Sequence, residues 1–255
     1  MVKTPEQTFR PDSAKNIDEV NQRKYFADLA LGYLSLIKMH KESGHLPSPK
    51  NLSSQKKAAN IESSGQEDWS NIVRHCLAEA GAADAVARLI NLTEKERAQL
   101  IEAAILHDFD KKIQVEAFRA DPARKKENYY RLLEEGTKTL EAHGVDPAVI
   151  EIIKSVGHER SKEVLENKMP LLSKILHYLD GITEGTQLVS PQSKLEGMRQ
   201  RYPELFKAGE FKDWVASKEK IQEELATRMG LEDPNQLPNF ISQKVKQLAS
   251  EEAKK

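Results

Sequence analysis

The chain has 255 residues and a single cysteine, Cys76. An intrachain disulfide framework is excluded, and so is a cysteine-rich zinc site. Twelve glycines and 11 prolines are too few for a collagen-like or low-complexity polymer. Neither sign of charge is in excess: 39 Lys and Arg against 40 Asp and Glu leave a formal charge of −1. A global basic tail for nucleic acid is excluded, although a local patch remains open. No apolar run approaches the roughly 18 residues a membrane span requires. The opening MVKTPEQTFRPDSAKN lacks the apolar core of a secretory signal. These absences lead us to expect a cytoplasmic protein that does not engage a membrane. Strand signals are nearly missing too, because no alternating Val/Ile/Thr/Tyr segments are bounded by Asn-Gly or Asp-Gly turns.

Helical periodicity fills the space. Residues 22–41 place Phe26, Leu29, Tyr33, Leu36 and Ile37 on one stripe. Residues 69–90 repeat this with Ile72, Cys76, Leu77, Ala80, Val86 and Leu89, with Gly81 as a point of bending. Thr93 followed by Glu96 is a capping box. The helix it opens ends at His107-Asp108-Phe109-Asp110-Lys111. Further helices are expected near 124–142, 147–156, 170–183, 211–229 and 236–252, with Pro147 and Pro170 at helix starts. Residues 43–66, rich in Ser, Pro, Lys and Asn, read as a linker. The predicted architecture is all-α. An N-terminal helix and linker occupy 1–66, a helical core 67–185, and a polar helical extension 186–255. In that extension Lys218, Glu219, Lys220, Glu223 and Glu224 read as a solvated face. The extension docks on the core or forms a homodimer contact.

Chemistry concentrates in a few ionisable residues flanked by apolar ones: His75, His107, Asp108, Lys111 and Asp180. Such groups are costly on a buried helix unless they are paired or bind a metal. Two imidazoles with two carboxylates suit one divalent ion among Mn, Fe, Co, Ni, Zn and Mg. Such an ion activates water and polarises a phosphorus–oxygen bond, and a nearby lysine supplies a charge for phosphate.

The order His75, then His107-Asp108, then Asp180 resembles the HD-domain superfamily of metal-dependent phosphohydrolases. His75 precedes His107 by 32 residues, and Asp180 follows Asp108 by 72. His107-Asp108-Phe109-Asp110-Lys111 is similar to the family's His-Asp-x-Gly-Lys signature, with Asp110 standing where Gly is usual. Over about 67–185, the resemblance implies an all-α core in which His75, His107, Asp108 and Asp180 hold the metal. It implies phosphatase or phosphodiesterase activity on a phosphorylated small molecule, a nucleotide by family analogy. Asp108, Lys111 and His158 are the implied catalytic residues, with Lys111 and His158 contacting the substrate. Two alternatives from other classes remain: an HD-type nuclease on single-stranded nucleic acid, which the charge and aromatic content disfavour, and a non-catalytic nucleotide- or partner-binding module.

Each residue also has a plainer reading. His75 can be a core histidine bonded to a carbonyl, Asp108 a helix cap, Asp180 a partner of Lys or Arg, and Lys111 a solvated side chain. His143 reads as a helix C-terminal residue favoured by the macrodipole. His177 shares a helical face with Asp180 between apolar neighbours. His40 and His45, at the linker's edge, read as solvated. Arg160, Lys162, Thr183, Glu184 and the basic segment from Arg119 to Lys126 are weaker substrate contacts.

Overall fold

The computed structural model describes residues 13–45, 69–121, 125–157, 160–201 and 211–254. The fold is all-α. In chain order the helices are α1 (Ser13–Gly32), α2 (Leu34–Glu42), α3 (Ser70–Leu89), α4 (Glu94–Leu106), α5 (Lys111–Ala120) and α6 (Lys125–Ala142). They continue with α7 (Pro147–Ile153), α8 (Ser161–Leu165) and α9 (Leu171–Ile182). A hairpin of β1 (Thr183–Glu184) and β2 (Gln187–Leu188) precedes α10 (Pro191–Arg201), α11 (Lys212–Arg228) and α12 (Leu237–Glu252). The expected linker lies, from residue 46 to 66, outside the described residues. The helix predicted over 22–41 is broken at Tyr33, whose φ of −120° and ψ of 37° leave the helical region.

The middle of α3 runs Ala78-Glu79-Ala80-Gly81-Ala82-Ala83-Asp84-Ala85, and every one of these residues is buried. Alanine combines the highest helix propensity with the smallest side chain that still has a Cβ, so neighbouring helices can approach α3 closely. Helix α3 runs without interruption through Gly81. A Cβ at Gly81 would lie 2.6 Å from Cε1 of Phe26, so the glycine admits the α1 ring. The α4 start carries the expected capping box. The Thr93 amide donates to Glu96 Oε2 at 2.9 Å, and the Glu96 amide donates to Thr93 Oγ1 at 3.3 Å. Asp146 caps α7 with Pro147 at its first turn.

Helix α9 is apolar along most of its length. Ile175, Leu176, Leu179 and Ile182 are fully buried, each contributing about 1.5–3 kcal/mol to holding the helix in place. The C-terminal helices belong to the same apolar cluster, through Ile221, Leu225, Leu237, Ile241 and Val245. Helix α12 packs on α1 and α3, and α11 on α8 and α9. Lys218 of α11, expected on a solvated face, is fully buried. Its register explains why: with Trp214, Ile221 and Leu225 it falls at spacings of four, three and four on the inward stripe.

His40 and His45 are also buried rather than solvated. The Lys112 amide donates to His45 Nε2 at 3.3 Å, which leaves the His45 proton on Nδ1. That nitrogen lies 2.9 Å from His40 Nδ1, and His40 Nε2 donates to the Ile105 carbonyl at 2.6 Å. The chain of bonds pins the end of α2 to the elbow between α4 and α5, which carries His107 and Asp108.

Candidate metal centre

Three elements meet at one point. Helix α3 supplies His75 and, one turn later on the same face, Glu79. The end of α4 supplies His107 and Asp108, and the last turn of α9 supplies Asp180. One donor atom from each of His75, Glu79, His107 and Asp180 lies within 4.8 Å of every other. His75 Nε2 is 3.0 Å from Glu79 Oε1, and His107 Nε2 is 3.5 Å from Glu79 Oε2. Asp180 Oδ1 is 3.9 Å from His75 Nε2 and 3.8 Å from His107 Nε2. Ligands about 2.1 Å from one ion sit roughly 3.0 Å apart at octahedral right angles and roughly 3.4 Å apart in a tetrahedron. The observed separations start at these values and exceed them by up to about half an ångström, so the four residues could hold an ion after a small contraction.

Both imidazoles are turned the right way. His107 Nδ1 donates to the Ala104 carbonyl at 2.9 Å, and His75 Nδ1 donates to the Gly185 carbonyl at 3.2 Å. Each ring thereby keeps its Nδ1 proton on a carbonyl and turns Nε2 inward, the orientation that a histidine ligand needs once Nε2 gives up its proton. Gly185 sits at the turn of the β1–β2 hairpin with φ of +60°, where glycine is unstrained. The hairpin, which no strand signal announces, thus serves as the backstop of His75.

Glu79 is the group of the cluster least satisfied by hydrogen bonds. Neither of its carboxylate oxygens has a hydrogen-bond partner, nor does His107 Nε2, and all three atoms are buried. The heavy atoms are near one another but not aligned for hydrogen bonding. Five residues along the same helix, Asp84 is equally deep and fully partnered. It accepts from Tyr25 Oη at 2.6 Å, from Arg97 Nε at 2.5 Å and from Arg88 Nε at 3.0 Å. Buried polar groups are normally satisfied in this way. A buried carboxylate and imidazole left without aligned hydrogen bonds, with Nε2 and carboxylate oxygens converging, could hold a cation.

The electrostatics agree. Burial disfavours the imidazolium of His75, yet the Glu79 and Asp180 carboxylates outweigh it and push its pKa up to about 10. His107 is likewise buried and driven well above the ordinary value, chiefly by Glu79. Burial would raise Asp180, but the facing imidazoles hold it well below the carboxylate range. A cluster that attracts protons to two histidines so strongly could hold a divalent ion in their place.

Asp108 sits at the rim. Its Oδ2 is 3.7 Å from His107 Nε2, and its Oδ1 is 3.1 Å from Lys111 Nζ. It does not cap α5. Burial opposes its ionisation, but Lys111 and the two histidines draw it down to about 2. Asp108 in turn raises the pKa of Lys111, whose half-exposed ammonium marks the open side of the centre. Asp110 has φ of −103°, so its backbone does not require glycine. Its carboxylate accepts from Gln114 Nε2 at 2.9 Å and rests against Gly136.

The structure therefore brings together His75, His107 and Asp180, with Asp108 and Lys111 beside them. Glu79 was missed; its place one helical turn from His75 is the only signal of it in the sequence. His158 lies outside the described residues. His177 faces the core: its Nδ1 donates to the Ser155 carbonyl at 3.0 Å and its Nε2 lies 3.3 Å from Ser217 Oγ. His143 donates to the Thr139 carbonyl at 2.8 Å, at the end of α6. Thr183 is buried on the Leu179 carbonyl, Arg160 pairs with Glu163 at 2.7 Å, and Lys162 is exposed. Glu184 lies in β1 against Gly197, Arg119 is exposed, and the basic residues between 122 and 126 have no described side chains. No helix among the described residues is long and apolar enough to cross a membrane. Comparison with protein-family models, with curated proteins and with solved structures finds no match to this chain.

Proposed function

We propose that the protein is a metal-dependent phosphohydrolase of the HD type, acting on a phosphorylated small molecule of the nucleotide class. The observation that carries this reading is the convergence of two Nδ1-anchored histidines on a buried Glu79 that makes no aligned hydrogen bond, with a lysine on the open side. His75, Glu79, His107 and Asp180 would hold one divalent ion, and Asp108 stands within reach of the same position. When bound, the ion supplies Lewis acidity and lowers the pKa of a coordinated water.

The chain's own residues supply the rest. Lys111 lies on the solvent side, where its ammonium can meet phosphoryl oxygens and offset charge that develops on them. Asp108 fixes that ammonium at 3.1 Å and remains ionised at neutral pH, so it holds Lys111 charged and in place for a phosphoryl oxygen. Glu79 and His107, fully buried, form the floor and keep water from the inner side.

Phosphate release from a panel of nucleoside mono-, di- and triphosphates, with Mn, Co, Ni or Mg added, tests the assignment. Release by the wild type, loss in His107→Ala together with metal, and loss in Lys111→Ala with metal retained are expected. Metal binding without release from any nucleotide would remove the phosphohydrolase reading and favour a binding module. Metal-dependent loss of a labelled single-stranded oligonucleotide would favour a nuclease.

A further inference from the structure

The elbow between α4 and α5 carries His107, Asp108 and Lys111, and it is held by residues from the N-terminal side of the chain. An α-helix leaves its last four carbonyls and its first four amides without helical partners. The Ile105 carbonyl belongs to the last turn of α4, and the Lys112 amide to the first turn of α5. His40 Nε2 donates to the Ile105 carbonyl at 2.6 Å, and the Lys112 amide donates to His45 Nε2 at 3.3 Å. The two rings are joined through their Nδ1 atoms at 2.9 Å. One pair of histidines therefore caps both helices of the elbow. At 0% and 1% exposure they are shut off from solvent that would replace them. Gly44 completes the seat. Its φ of +79° suits glycine, and a Cβ there would lie 3.0 Å from Lys112 Nζ.

These bonds fix a number of protons. The Ile105 carbonyl only accepts, so His40 carries a proton on Nε2; the Lys112 amide only donates, so His45 Nε2 carries none. The proton between the two Nδ1 atoms belongs to His45. Both rings are thus neutral, and a third proton has two places to go. On His45 Nε2 it meets the Lys112 N–H directly. On His40 Nδ1 it faces the His45 proton, which must then move to His45 Nε2 and again displaces the Lys112 amide. Both routes break the bond to α5. The titratable groups facing the pair are Cys76 of α3 and His107 of α4 at His40, and Asp108 and Lys112 at His45. Burial opposes a further proton on His40, but Cys76 outweighs it and draws the pKa above the ordinary value. Burial and His40 hold His45 down to about 4, so the second route is favoured. It keeps the His40 bond to α4, and His107 stays in place.

We propose that His40 and His45 form a proton-counted latch on the site: positioning residues that hold the first turn of α5, and with it Lys111, and release it when the pair takes up one further proton. The importance of Lys111 rests on the phosphohydrolase reading above, whereas the latch rests on the hydrogen bonds. On release α5 loses its cap, and Lys111 loses the fixed backbone that aims its ammonium.

Hydrogen exchange at the Lys112 amide reads the latch, because its acceptor is His45. The measurement is the protection factor of that amide in the ¹⁵N-labelled full chain, followed by NMR from pH 8.5 to pH 5. The Gln114 amide, which donates to the Asp110 carbonyl at 3.1 Å, is the internal reference. Lys112 protection is expected to fall about tenfold across this range, the worth of one hydrogen bond, while Gln114 stays protected. In His45→Ala, Lys112 is expected to be unprotected at every pH. A merely structural tie predicts Lys112 protection that does not change with pH, and that result overturns the proposal. Loss of protection at Lys112 and Gln114 together also overturns it, since all of α5 would then be fraying. Should His45→Ala fail to fold, the wild-type profile decides alone. With Mn²⁺ bound, inorganic phosphate is expected to bind about tenfold more weakly to His45→Ala than to wild type, with Mn²⁺ stoichiometry unchanged. Equal phosphate affinity overturns the link to Lys111. A wild type that binds Mn²⁺ but no phosphate removes the phosphohydrolase reading, and the exchange profile still decides the latch.

Discussion

Replacing Glu79 by Gln separates a metal ligand from a packing group. The side chain is fully buried and neither of its oxygens makes an aligned hydrogen bond, so the isosteric amide removes one negative charge, and with it the ionic contact to His75 and His107, while keeping the shape. A ligand that binds only the folded state adds about 2.7 kcal/mol of stability at a free concentration of 100 Kd. Unfolding entropy of about 2.1 cal/mol/K per residue, over 255 residues, converts that into a rise of about 5 °C. Loss of a direct carboxylate ligand lowers metal affinity at least as much as loss of a supporting contact, on the order of 100-fold. At the same metal concentration the linked gain then falls to about 0.4 kcal/mol, under about 1 °C. The assay is a melt followed by circular dichroism in EDTA and in Mn²⁺, for wild type and Glu79→Gln side by side. Equal Mn²⁺ shifts in the two proteins would refute the argument that Glu79 lacks an aligned hydrogen bond because it awaits a cation.

Two further predictions concern the frame of the site. Burial, reinforced by Lys218, lowers His177 from 6.5 to about 3. The unfolded chain therefore takes up a proton as pH falls through 6.5, and the folded chain does not until about 3. Stability from this histidine is complete above pH 6.5 and drains away below it, by roughly 4–5 kcal/mol in total. Denaturant melts between pH 7 and 3 should show that slope in the wild type and a flatter one in His177→Gln. Gly81→Val should overpack α3 against Phe26 and cost about 1–3 kcal/mol, read as a lower denaturant midpoint with metal stoichiometry unchanged.

What the sequence revealed and what it hid follow one physical division. Helices and their caps depend on neighbours a few residues apart, so Thr93 with Glu96 and Asp146 with Pro147 were legible. His107-Asp108 stood out as a polar pair closing an apolar helix, and His75 and Asp180 as polar residues in apolar surroundings. Glu79 was hidden because its alanine neighbours carry little apolar signal, and because its role is set by α4 packing across α3. Lys218 was masked by the charges beside it, although Trp214, Ile221 and Leu225 place it on the inward stripe. His40 and His45 looked like linker residues because their partners, Ile105 and Lys112, lie more than 60 residues away. The β1–β2 hairpin has strands of two residues each, too short to show any alternation.

The central claim is that His75, Glu79, His107 and Asp180 form a metal centre. Elemental analysis of the wild-type chain, dialysed after incubation with Mn, Fe, Co, Ni and Zn in turn, tests it most directly. The account predicts about one divalent ion per chain for at least one of these metals, falling to near zero in His107→Ala. A wild type that retains none of them would contradict it.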